Sequence, residues 1–111
     1  MNETIYNVPI VTNGNMSSSI ISKVTPLSTT NGYSISATWT GSPVGTMKIQ
    51  VSRDNSFFSD YPGSQITVNG AGGQMWEITT ANYAQVQLVY TASSGSGTLN
   101  AGILGKGDLI N

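Results

Sequence analysis

Apolar and polar residues alternate with a period of two along several stretches of this 111-residue chain. The clearest is "YSISATWT", where Tyr33, Ile35, Ala37 and Trp39 alternate with Ser34, Ser36, Thr38 and Thr40, as in a strand with one buried and one wet face. "GSPVG" follows, and Gly41, Pro43 and Gly45 suit a chain reversal; "MKIQVSR" then resumes the alternation with Met47, Ile49 and Val51 inward. These two stretches predict an antiparallel hairpin. A second hairpin is predicted where Val86, Leu88 and Tyr90 alternate in "AQVQLVYTA", "SSGSG" turns the chain, and Leu99, Ala101 and Ile103 alternate in "TLNAGIL". Between them, Ile66 and Val68, a Gly-rich turn over 69–73, and Trp76 with Ile78 predict two further short strands. Upstream, "TIYNVPIV" puts Tyr6, Val8 and Ile10 on one face, but Pro9 lacks the N–H that a ladder needs. An edge strand or a docked arm is therefore expected there, with residues 1–18 as an extended N-terminal arm. One more short strand is expected near Ile20 to Val24, ended by Pro26. No window carries an apolar stripe at helical spacing. About eight short strands separated by turn signals predict an all-β fold: a single antiparallel β-sandwich or jelly roll, with residues 1–111 as one domain.

Composition narrows the partners. Charged residues are 8% of the chain, against roughly 25% in ordinary globular proteins, so uncharged polar groups must keep it in solution. The net charge is −1, and Lys23, Lys48, Arg53 and Lys106 are the only cations, too few to neutralise a run of phosphates; nucleic acid is not an expected partner. With 38% apolar residues and so little net charge, the chain is expected to fold. Cysteine is absent, which excludes disulfides and thiolate metal sites. "MNETIYNVPI" lacks the basic leader and apolar run of a secretory signal, so synthesis in the cytoplasm is expected. No apolar run approaches the roughly 20 residues that span a bilayer, and no membrane role is expected.

Catalytic chemistry finds little support. Histidine is missing, which removes the commonest general base and metal ligand. The carboxylates Glu3, Asp54, Asp60, Glu77 and Asp108 sit in no recognisable acid-base motif, so neither an enzyme nor a cofactor is expected. Asp54 and Asp60 flank "NSFFS", but Asp54 with Asn55 reads as a turn cap, since Asp and Asn bond their own backbone in turns. "SRDNSFFSD" offers oxygen ligands without the alternating acidic loop of an EF-hand. "NGAGGQ" lacks both the Lys-Ser/Thr and the following helix of a phosphate-binding loop. Trp39, Trp76, Tyr33 and Tyr90 fall on inward faces and read as core. Phe57, Phe58 and Tyr61 lie instead in the loop-like "NSFFSDYPG", where they either bury against the end of the sandwich or protrude as anchors for a sugar or a neighbouring subunit. Phe57, Phe58, Asp60 and Tyr61 therefore form the candidate interaction loop.

In order along the chain, "YSISATWTGSPVGTMKIQVSRDN", "MWEI" and "YAQVQLVYTASSGSGTLNAGILGKG" resemble small β-sandwich structural proteins of tailed-phage virions, of the head-decoration, head-fibre or tail-accessory type. The resemblance covers approximately residues 33–107 and rests on a Trp-Thr-Gly turn into a Gln-Val-Ser strand, a Trp before the penultimate strand, and the closing "YTASSGSGTL" and "GKG". It implies a non-enzymatic virion subunit in many copies, made in the host cytoplasm, with itself and other virion proteins as partners. The other function that the residues suggest is a carbohydrate-binding module. There the loop aromatics would stack on sugar rings, with a host surface glycan as partner.

Overall fold

The computed structural model describes residues 3–23, 25–26, 32–54, 56–78 and 85–108. Among the described residues, ten strands run in the order β1 (Glu3–Asn15), β2 (Ile20–Ile21), β3 (Thr25–Pro26), β4 (Gly32–Gly41), β5 (Val44–Ser52), β6 (Phe58–Asp60), β7 (Ile66–Asn69), β8 (Gly72–Ile78), β9 (Gln85–Ser94) and β10 (Gly97–Asp108). They form two antiparallel sheets, β1-β10-β4-β8 and β2-β9-β5-β6, with β3 pairing β9 and β7 pairing β5. β2 and β3 are two pieces of one edge, as are β6 and β7. Each sheet thus has four rows, the two-sheet plan of an antiparallel jelly roll.

The alternation in the sequence places the core where expected. Ile35, Ala37 and Trp39 of β4, Met47, Ile49 and Val51 of β5, Val86, Leu88 and Tyr90 of β9, and Leu99, Ala101 and Ile103 of β10 are all buried between the sheets. Val68 and Trp76 join them. Each fully buried aliphatic side chain contributes about 1.5–3 kcal/mol relative to exposure, so these rows supply most of the drive to fold. Both indoles also satisfy their N–H: Trp39 Nε1 donates to the Gly70 carbonyl at 2.7 Å and Trp76 Nε1 to the Ser64 carbonyl at 2.8 Å. The expected inward facing of Tyr6, Tyr33 and Ile78 rests on side chains outside the described set, as does the part that Val24 would play in a strand.

Both predicted hairpins are overturned. β4 lies in one sheet and β5 in the other, and the same holds for β9 and β10. The turns at 42–43 and 95–96 are arches that carry the chain across the sandwich, and the turn at 70–71 between β7 and β8 is a third. A fourth crossing, after β1, brings Met16 into the core. These crossings gather at one end and bond to one another: Met16 N to Gly97 O at 2.9 Å, Ser42 N to Ser96 O at 2.8 Å, and Gly70 N to Pro43 O at 2.9 Å. Strands joined by an arch hydrogen-bond to other neighbours, so turn residues and flanking alternation, which a hairpin and an arch share, do not tell them apart. Among the described residues, one connection between consecutive strands is a true hairpin: residues 53–57, which join β5 to β6 within one sheet at the opposite end.

Glu3–Asn15 is an edge strand paired along β10, one of the two alternatives expected for it. Register shifts between Pro9 and Val11, and again before Gly14, interrupt that pairing. The first is a bulge that lets the adjacent Ile10 and Val11 both bury, whereas Val8 is left 44% exposed. The expected upstream strand is split into β2 and β3, and Pro26, opposite Gln85, is the last residue of β3.

Where each edge of the second sheet breaks, a buried serine completes the ladder. Ser22, between β2 and β3, accepts the Leu88 N–H on its hydroxyl at 2.8 Å, while its own N–H donates to Leu88 O at 2.9 Å. Ser64, between β6 and β7, accepts the Ile49 N–H at 3.1 Å and donates to Tyr61 O at 2.7 Å. A buried backbone N–H without a partner costs about 1–3 kcal/mol, and the two hydroxyls remove that cost.

Gly95 separates close packing from backbone conformation. Its φ of +77° suits glycine, and a Cβ there would collide with the Ser42 carbonyl of the neighbouring arch; Gly63 has the same φ of +77° with nothing within 4 Å. Gly63→Ala is expected to cost about 1 kcal/mol from the backbone alone. Gly95→Ala should cost about 3 kcal/mol or more, because the arches must part. Urea unfolding of the two variants checks this, and equal losses would mean that the arch contact contributes nothing.

Candidate functional site

The hairpin at 53–57 is built around one carboxylate. Asp54 Oδ1 accepts the backbone N–H of Ser56 at 3.0 Å and of Phe57 at 3.1 Å, and the Ser52 hydroxyl at 3.2 Å. Asp54 is thus the turn cap that its residue type suggests; Asn55 lies outside the described residues. The two N–H groups, then the Ser52 hydroxyl, favour the charged form and hold the Asp54 carboxyl below its ordinary 3.8. Asp54 is consumed in shaping its own loop.

The four predicted loop residues do not converge on a single surface. Phe57 stands at the tip, 72% exposed. Phe58 is half-buried on the outer face of the second sheet, opposite Ser52. Asp60 is opposite Gln50 on that same face and closes a polar row across three strands. In this row Gln87 Nε2 donates to Gln50 Oε1 at 2.9 Å, Gln50 Nε2 to Asp60 Oδ1 at 3.0 Å, and Lys48 Nζ to Asp60 Oδ2 at 3.1 Å. The Gln50 amide first, and Lys48 second, hold the Asp60 carboxyl below 3.8. Tyr61 is half-buried against the core, its N–H donating to Ile49 O at 2.8 Å. The two aspartates that could have worked as acid and base therefore face different partners.

An open hollow of about 570 Å³ lies beside the hairpin, lined by Val51, Ser52, Arg53, Asp54, Phe57 and Ser59. Of the predicted four, Phe57 alone lines it. Arg53 and Ser59 were not singled out as site residues; Arg53, adjacent to the capping Asp54, was the available signal. An exposed aromatic ring, a guanidinium and the Ser59 hydroxyl border this hollow. A second, shallower trough of about 390 Å³ crosses the outer face of the first sheet, lined by Pro9, Thr12, Ser36, Thr38, Asn100 and Gly102 among others. Its floor is low because Gly102 has no side chain. Among the described residues, no three His, Cys, Asp or Glu side chains group as metal ligands.

No protein-family model matches the sequence, and no characterised protein matches it. Solved structures do share its fold. The chain is similar to the SPBc2 prophage-derived protein YomS, with a TM-score of 0.63 and 10% identity over 94% of this chain and 96% of that one. It is similar to a chain of infectious bursal disease virus, Gx strain, with a TM-score of 0.58 and 10% identity over 96% of this chain, and it spans only 32% of the viral chain. It is also similar to a Bacillus endospore appendage protein from disulfide-linked pili, with a TM-score of 0.52 and 12% identity over 97% and 93% of the two chains. At these identities the likeness is one of fold.

The loop geometry predicts a pH response. Because the folded-state values of Asp54 and Asp60 lie below the ordinary one, their stabilising bonds are intact above pH 3.8 and are lost as pH falls through the folded values. Carboxyl NMR titration should place both midpoints below 3.8. In Asp54→Ala, amide exchange at Ser56 and Phe57 should accelerate roughly fivefold or more, with the core amides unchanged. Unaltered exchange at those two positions would show that the carboxylate does not hold the loop.

Proposed function

We infer that this chain is a non-enzymatic structural subunit of a tailed-phage virion, present in many copies in the head or tail, with itself and other virion proteins as partners. The reading takes residues 1–111 as one domain, made in the host cytoplasm and carried into the particle. The observation that carries it is how few charges the outer sheet faces hold among the described side chains. On the first sheet, among the described side chains, Ser34, Ser36, Thr38 and Thr40 of β4 and Asn100 of β10 face outward, with Glu77 of β8 as the charge beside them. On the second, Lys48 and Asp60 neutralise each other. Neutral hydroxyl and amide faces let identical copies lie side by side without the repulsion that a charged surface would add. The fold shared with a prophage-derived protein over nearly its whole length supports the same reading.

A second reading has one observation of its own. Phe57 stands exposed beside the hollow that Arg53 also lines, an arrangement that suits a sugar ring. It makes the hairpin a glycan-binding loop on the same subunit.

Sedimentation velocity tests the first reading. The 11.6 kDa chain should run as a discrete species several times its own mass, with little difference between low and molar salt, because charge does not drive the contact. Mass spectrometry of banded particles from the encoding phage should find it in stoichiometric amount. A monomer at every concentration, absent from particles, would remove the proposal. For the second reading, a glycan array should give binding that Phe57→Ala weakens tenfold or more; silence from the wild type leaves the structural role alone.

A further inference from the structure

Four strand edges are open to solvent in a two-sheet sandwich, and an open edge is a template for pairing with another chain unless it is blocked. Three of the four are blocked here. β1 carries Pro9, two register shifts and Asn13 at a φ of +51°. The β2/β3 edge is two pieces of two residues each. The β6/β7 edge is broken into three and four residues by the segment that Ser64 anchors. β8 differs: its seven residues pair with β4 from Ile78 to Gly72 without a register shift, contain no proline, and have no described strand on the other side.

The backbone of this edge is directed outward in a definite phase. Ser42 N–H bonds Ser96 O one step beyond the Gly41–Gly97 pair, so the even residues of β4 bond β10. The odd ones, Ile35 and Ala37, bond Trp76 and Gln74 of β8, which leaves the Met75 backbone facing away from β4. In an antiparallel pair such residues alternate, so Gly73 and Glu77 face the open side as well. The Met75 side chain is 59% exposed on the outer face, a large apolar group with no cover.

We propose that β8 pairs with β8 of a second copy, antiparallel about a two-fold axis through Met75, so that the two first sheets become one continuous sheet. This deepens the structural-subunit reading and rests on it. The register is self-complementary. Met75 meets Met75 and covers the exposed thioether, while Glu77 falls opposite Gly73, where there is room for it and no like charge. Centring the axis on Glu77 would set two carboxylates face to face, which is unfavourable. The Met75 axis makes about six backbone hydrogen bonds, two for each of its three outward-facing pairs.

The chain has no cysteine, which makes the test clean. Directly paired residues have Cα atoms about 5.5 Å apart, within the span that a disulfide bridges. Oxidised Met75→Cys should therefore convert to covalent dimer, while Phe57→Cys, at the more exposed position of the two, should stay largely uncrosslinked. Met75→Lys places two ammonium groups at the axis and should shift the pairing equilibrium at least tenfold toward the separated form, with Met75→Gln close to wild type. Circular dichroism and thermal midpoints verify that each variant is folded. If the wild type assembles, but folded Met75→Lys assembles equally or Phe57→Cys crosslinks as fast as Met75→Cys, the β8 interface is wrong and the subunit reading stands. A wild type that never leaves the monomer overturns the β8 pairing, and the subunit reading falls with it only if the chain is also absent from the particles.

Discussion

Contact between the arch backbones is the constraint on which the rest depends. Four crossings from sheet to sheet share one end of the sandwich, and Ser42 N bonds Ser96 O there while a Cβ on Gly95 would strike Ser42 O. Close approach of this kind needs residues without side chains, and Gly41 and Gly97 lie in the same contact. Once the arches are stacked, the strands leaving them are committed to alternate sheets. That commitment brings β10 between β1 and β4, and β9 between β2 and β5.

A sandwich held at one end by arches leaves its edges to be managed separately, and the second sheet does so with side chains. Ser22 and Ser64 each sit where an edge strand breaks, and each lends a hydroxyl to the N–H that the missing residue would have bonded. Trp76 then ties the Ser64 carbonyl back to the first sheet. Broken edges of this sort keep the second sheet from pairing outward, and the bulged, proline-bearing β1 does the same on one side of the first. The open character of β8 stands out against that background. In the proposed pairing, this is the edge that meets a second copy.

In the proposed function, surfaces rather than reactive groups carry the role. The carboxylates flanking "NSFFS" are used in folding: Asp54 caps its hairpin and Asp60 ends a row of amides. Phe57 is left as the exposed aromatic of the loop, at the end of the molecule away from the arches. The bonded arches lie at one end and the hairpin hollow at the other, with sheet faces of few charges among the described side chains between them.

Burial was legible residue by residue. The inward positions of β4, β5, β9 and β10 follow from the two-residue period, because successive side chains on a strand point to opposite faces whatever the strand pairs with. The role of Asp54 was legible too, since an aspartate in a turn bonds the N–H groups just ahead of it. Partnership between strands was not. "GSPVG" and "SSGSG" reverse the chain as a hairpin turn does, but which strand then lies alongside depends on residues tens of positions away, such as Thr38 opposite Asn100. Nor could the sequence show that Phe57 would stand clear while Tyr61 packed inward, or that Arg53 would line a hollow. By itself, then, the sequence determined the strand class, the faces of those strands and the neutral surface, because these depend on local geometry and composition. Only the tertiary structure decided the sheet order, the stacked arches and the unblocked edge, because each is a relation between segments distant in the chain, settled by which packing satisfies every buried backbone group at once.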